Sequence, residues 1–204
     1  MKPKLLFFAR DYQSKLFPQL SSEKYDSIYV VLNKNEKLNV QKYGGRKVYC
    51  FEDDFQALDV SNIELPYLKF SYGCDRFYNG LSLNDRELLL KKTISFIRMI
   101  FAKHEISAVI NETVAIEFAE VLAIEAEKCG VKYLSWMSFP LKNKFYWQVS
   151  PYHNSLGKEL NHIYPTKLDI ENAKIFVENL SEGIQKPSYV LGKSTRFSSK
   201  ELAI

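Results

Sequence analysis

Three short polar groups stand where an apolar run ends and have the residue types for chemistry: Arg10-Asp11, Asn111-Glu112-Thr113, and Ser138 with Lys142 and Lys144. In a parallel α/β sheet the ligand crevice lies beyond the carboxyl ends of the strands, where loops converge and helix amino termini point. Glu112 is the candidate catalytic base, because a carboxylate at a helix start beside such a crevice stays ionised and accepts a proton from an acceptor hydroxyl. A plainer reading has Asn111 capping the helix that follows and Glu112 complementing its dipole. Arg10 and Asp11 suit a phosphate or the hydroxyls of a sugar, or else a local ion pair.

Two further segments carry suitable groups. Asp75-Arg76 lies in a long irregular stretch, where ordered loops often bind ligands, with a loop-anchoring ion pair as the alternative. Residues 136–147 set Trp136, Phe145, Tyr146 and Trp147 beside Lys142 and Lys144. Aromatic faces next to cationic heads suit stacking on sugar or nucleobase rings, although core packing with surface lysines explains them too. Glu117 and Glu120 lie about one helical turn apart and imitate an acid-base dyad, but are read as a solvated helix face.

Missing motifs narrow the chemistry. Phe8-Ala9-Arg10-Asp11 follows the first apolar run in place of GxGxxG, and no GxxxxGK[ST], GxSxG or HExxH occurs. His104, His153 and His162 do not cluster, and Cys50, Cys74 and Cys129 are far apart without CxxC spacing. No metal, no cofactor and no structural disulfide is expected.

The elements that must position these groups follow from periodicity. Apolar runs at 4–9, 26–32, 46–51, 106–110 and 131–136 read as strands. Helices are expected over 12–20, 33–43, 82–104, 114–128 and 168–182, with Asn33 and either Ser82 or Asn84 as amino-terminal caps and Gly130 as a left-handed terminus. Alternation of strand and helix with short loops gives a doubly wound, mostly parallel α/β sheet, a Rossmann-like domain over 1–165. Residues 166–204 read as a helix and a basic tail that starts a linker.

The balance of 28 basic against 24 acidic residues is too mild and too interspersed to argue for nucleic acid. The basic tail at 186–200 is read as solvated, with anionic lipid or a sugar nucleotide as its alternative partner. No run reaches the roughly 18 apolar residues of a membrane span, so a cytoplasmic protein is expected, with peripheral contact at the inner face of the membrane left open.

The helix at 84–101, the strand Ser107-Ala-Val-Ile-Asn-Glu112, the helix from Ala115-Ile-Glu-Phe-Ala-Glu to Cys129-Gly130 and the strand Val131-Lys-Tyr-Leu134 resemble the amino-terminal domain of GT-B glycosyltransferases that build bacterial capsule and surface polysaccharides. The resemblance covers residues 75–151. It implies an acceptor-side domain facing a second, nucleotide-binding domain across a cleft, with sugar nucleotide and glycan acceptor as partners. Glu112 would then be the base or an acceptor contact, and Asp75, Arg76 and the 142–147 segment would line the cleft. The second domain has no counterpart in these residues, so the chain is expected to be incomplete as an enzyme by itself. A non-catalytic glycan- or protein-binding module and half of a sugar-nucleotide epimerase are the alternatives.

Overall fold

The computed structural model describes residues 2–68, 80–112, 114–138, 145–152 and 164–183. Six strands form one sheet: β1 (Lys4–Phe8), β2 (Asp26–Val31), β3 (Lys47–Cys50), β4 (Ala108–Glu112), β5 (Lys132–Ser138) and β6 (Phe145–Gln148). Their order is β3-β2-β1-β4-β5-β6, and β1 pairs in parallel with both β2 and β4. The β2–β3 and β4–β5 pairs are also parallel. The order reverses between β1 and β4, and this topological switch point is where an open α/β sheet leaves a crevice for ligands.

Alternation along each strand divides the core in two. Leu6 and Phe8 of β1, Ile28 and Val30 of β2 and Val109 of β4 face one side, beneath α4 (Leu83–Lys103) and α5 (Glu117–Lys128). Phe7, Ala9, Tyr29, Val31 and Ile110 face the other, where Phe17 and Val40 cover them. Val40 belongs to α2 (Lys34–Lys42), which packs against the short α1 (Gln13–Leu16). Helices therefore lie on both faces, as the doubly wound reading requires. Phe8 stacks on Phe118 at 4.8 Å, and Phe51 meets both Phe118 and Phe96 edge-on. Each such buried ring contributes roughly 1.5–3 kcal/mol.

Local signals set the boundaries. Asn33 caps α2 in a reciprocal capping box with Glu36, and the Ser82 hydroxyl accepts from the Asp85 N–H at the start of α4. Gly130 ends α5 at φ +66°, the left-handed turn that a side chain would disfavour. After β3 the acidic residues form the short α3 (Phe51–Asp54) and a turn of 3₁₀ helix, with no regular structure from there to residue 68.

By internal packing the chain divides into two units, Met1–Trp136 with Gln148–Asn154, and Met137–Trp147 with Ser155–Ile204. The second contains α6 (Lys167–Ser181), opened by a capping box between Thr166 and Asp169, and no residue of α6 is buried. No helix among the described residues is long and apolar enough to cross a membrane.

Candidate functional site at the switch point

The turn after β1 and the end of β4 meet at the switch point. Arg10 is mostly buried, and its guanidinium lies 3.5 Å from the Asp11 carboxylate and 4.0 Å from that of Glu112. The Tyr12 phenol donates a hydrogen bond to Glu112 Oε1. Sequence reasoning thus picked three residues that the fold brings together, Arg10, Asp11 and Glu112, and missed Tyr12, which completes the group.

A buried carboxylate from α2 holds the turn in place. Glu36 Oε1 accepts from the Asp11 N–H at 2.8 Å, while Oε2 accepts from the Leu32 and Asn33 N–H groups at 2.8 and 3.3 Å. Asp11 itself sits at φ +48°, one of two non-glycine residues in the left-handed region among those described. On either side of it in the chain, Arg10 and Tyr12 both reach Glu112. Ser14 and Asn39 extend the brace, through Ser14 Oγ to Asp11 O at 2.6 Å and Asn39 Nδ2 to Ser14 Oγ at 3.2 Å.

Desolvation raises the Tyr12 phenol well above its ordinary value, and the hydrogen bond to Glu112 and its negative charge raise it further. The Gln13 amide and the Arg10 charge pull it back only in part. Tyr12 is therefore a neutral donor across the physiological range. Gln13 is 1% exposed, and neither Nε2 nor Oε1 reaches a partner in good hydrogen-bond geometry. Leaving such a group unsatisfied costs about 1–3 kcal/mol, an expense a fold tolerates where the group has another use.

Asn111 is buried on the opposite face of the sheet and donates from Nδ2 to the Tyr133 hydroxyl at 2.8 Å. It does not cap α5, which begins at Glu117 with Ile116 in the cap position and no side-chain cap. The capping alternative for Asn111 and the dipole alternative for Glu112 both fail for the same reason: Glu112 is the last residue of β4 and lies outside the first turn of α5. A second correction concerns Glu117 and Glu120, which are 1% and 0% exposed and not on a solvated face. The chain crosses back over this region, with Val114 N–H donating to Pro151 O at 2.9 Å and Ser135 Oγ to Ser150 O at 2.5 Å, and α5 is buried on most sides.

Of the other expected site residues, Ser138 ends β5, and Trp147 lies on β6 in the second unit, 46% exposed. Asp75, Arg76, Lys142 and Lys144 lie outside the described residues. Trp136 is set edge-on to Tyr12 with ring centres 6.3 Å apart, adding an aromatic wall beside the carboxylate.

The Arg10 guanidinium faces two carboxylates, Asp11 and Glu112. The next cations along this edge are already engaged, Lys34 by Glu52 at 3.7 Å and Lys37 by Asp53 at 2.6 Å. Among the described residues no group of three or more His, Cys, Asp or Glu is placed to hold a metal ion.

No protein-family model, curated protein or solved structure matches the chain. Function therefore rests on the geometry. Two cavities lie elsewhere: one of about 600 Å³ is lined by Tyr25, Asp26, Arg46 and Lys47, and one of about 510 Å³ by Lys132, Tyr133, Ser150 and Tyr152. The first opens at the amino ends of β2 and β3, away from the switch point, and none of its lining side chains is a buried group lacking a partner. Volume alone is a poorer guide here than the strand-end chemistry.

Proposed function

We propose that this domain is the acceptor side of a GT-B type glycosyltransferase acting in bacterial capsule or surface polysaccharide assembly. The observation that carries the reading is the Glu112 carboxylate at the β1/β4 switch point, set beside the Arg10 guanidinium, which also pairs with Asp11. A donor-side site needs free positive charge or backbone amides for a diphosphate, whereas an acceptor site needs a base and hydroxyl partners. In this reading Glu112 accepts the proton of the attacking sugar hydroxyl, and Arg10 limits how far the carboxylate can turn. A second α/β domain, on another segment or chain, supplies the sugar nucleotide.

The test is sugar transfer from nucleotide donors by the domain joined to its nucleotide-binding partner. Glu112→Gln keeps the shape and hydrogen bonds but cannot take a proton, so turnover is expected to fall by about two to four orders of magnitude with acceptor binding retained. Undiminished turnover in that variant would sink the reading.

One observation favours a non-catalytic glycan-binding role as the second reading: Tyr12 already occupies Glu112. In that case Glu112→Gln leaves binding intact and no turnover appears with any partner.

A further inference from the structure

We propose that the edge of the sheet opposite the switch point binds a phosphate group, held by Lys4, Lys47 and Lys103 with the Ser107 hydroxyl as a further donor. The inference does not rest on the acceptor-side reading. It assigns a second site, at the amino ends of the strands, for a soluble phosphate compound or the phosphate of a lipid headgroup.

The three lysines are scattered in sequence, and the fold gathers them. Lys4 opens β1 and Lys47 opens β3. Alternation turns both to the α4 side of the sheet, since Lys4 shares the side of Leu6 and Phe8, and Lys47 that of Tyr49. On that side α4 ends at Lys103, with His104 in the cap position. His104 Nε2 lies 2.7 Å from the Tyr49 hydroxyl, and the Lys103 ammonium stands 5.7 Å from the centre of the Tyr49 ring. The Lys4 N–H donates to Ser107 Oγ at 3.2 Å and the Ser107 N–H to Lys4 O at 2.8 Å, which fixes the start of β1 against the turn after α4.

A cation at a helix carboxyl end complements the helix dipole, which accounts for Lys103 but not for the two strand lysines. Among the described residues none of the three makes an ion pair. Asp26 is the register partner of Lys4 and Glu105 follows His104, yet neither carboxylate pairs with these lysines. Burial, and then the charges of Lys47, Lys4 and Lys103, hold the His104 imidazole below its ordinary value, and no carboxylate opposes them there. Positive charge gathered by folding and left without a counter-charge is relieved by an anion. A phosphate presents three acceptor oxygens to the ammonium and hydroxyl donors, where a carboxylate presents two.

The experiment titrates the chain with inorganic pyrophosphate at low salt and follows the backbone amide shifts of Lys4, Lys47 and Lys103, together with the pH titration of the His104 ring, by NMR. A bound anion favours the imidazolium, so the His104 midpoint is expected to rise in saturating pyrophosphate, a change that lysines serving only the helix dipole would not produce. Lys47→Gln and Lys103→Gln are each expected to weaken binding about two- to fivefold, and the triple variant with Lys4→Gln about tenfold or more. Lys91→Gln, in the first half of α4 and paired with Glu87, should bind as the wild type does. A parallel arm mixes the chain with phosphatidylcholine vesicles with and without phosphatidylglycerol. Pyrophosphate binding that the triple variant loses assigns the site to soluble phosphate compounds. Binding only to the vesicles that contain phosphatidylglycerol, lost in the same variant, assigns it to a lipid headgroup. No binding in either arm, or binding that the triple variant retains in full, would overturn the proposal, as would a His104 midpoint unmoved in the pyrophosphate-bound state. The acceptor-side reading stands or falls separately.

Discussion

Glu36 and Asp11, 25 residues apart in sequence, are joined by a 2.8 Å hydrogen bond in which a buried carboxylate on α2 accepts from the backbone of the turn after β1. The same carboxylate accepts from Leu32 and Asn33, so one side chain ties the ends of β1 and β2 together. Charge-assisted bonds to backbone donors are among the stronger ones in a fold. Glu36→Ala should lower stability by about 3 kcal/mol, and Glu36→Gln by about half that, in urea denaturation. A smaller loss than about 1 kcal/mol for the alanine variant would show that the brace is not formed.

Asp11 stands at φ +48°, and its side chain is 60% exposed beside Arg10. An ion pair that exposed contributes little, whereas the left-handed backbone costs a β-branched residue about 1–2 kcal/mol. Asp11→Gly is therefore expected to be neutral or slightly stabilising and Asp11→Val destabilising. Thermal melts of the two variants check the order, and the reverse order would contradict the turn described.

Gly45 packs against α2. A Cβ there would come within 2.3 Å of Val40 Cγ1 and 3.0 Å of Tyr29 Cε2 and of Val40 O. Since Val40 and Tyr29 are buried, the crowding has little room to relax. Gly45→Ala should cost about 1–3 kcal/mol by chemical denaturation, whereas Gly44, with open space around it but φ +97°, responds through backbone strain alone.

Burial opposes ionisation of Glu125, yet hydrogen bonds from Arg98 at 2.8 Å and Lys128 at 2.7 Å hold its carboxyl below the ordinary value. A carboxyl lowered on folding contributes stability that is present above its unfolded value of 4.5 and is lost as pH falls through the folded value. The stability gap between wild type and Glu125→Gln should therefore be full at neutral pH and close as pH falls below that unfolded value. A gap that widens on acidification would contradict the ion pair.

How much of this was legible in the sequence depends on range. The two sheet faces show in the alternation of Leu6, Phe7 and Phe8, and the caps Asn33 and Ser82 and the terminus Gly130 show in local spacing. Arg10 and Glu112 were identifiable because strand ends at a switch point are where polar groups gather. Glu36 carried a usable signal, the third residue after Asn33 in a capping box, but its bond to Asp11 did not, since that depends on β1 and β2 being neighbours. Tyr12 and Gln13 had none. Their neighbours suggested an ordinary helix start, and only the fold shows that one meets Glu112 and the other is buried without a partner. Glu117 and Glu120 misled for a similar reason, as helical spacing cannot reveal that residues 148–152 return across the sheet.

The proposed acceptor-side role predicts that the switch point takes hydroxyl-bearing ligands in preference to phosphates. Backbone amide shifts of Arg10, Tyr12 and Glu112, followed while the chain is titrated separately with a methyl glycoside and with a nucleoside diphosphate, test this most directly. The glycoside should move all three resonances and the nucleoside diphosphate none. A nucleoside diphosphate that moves them while glycosides do not would contradict it.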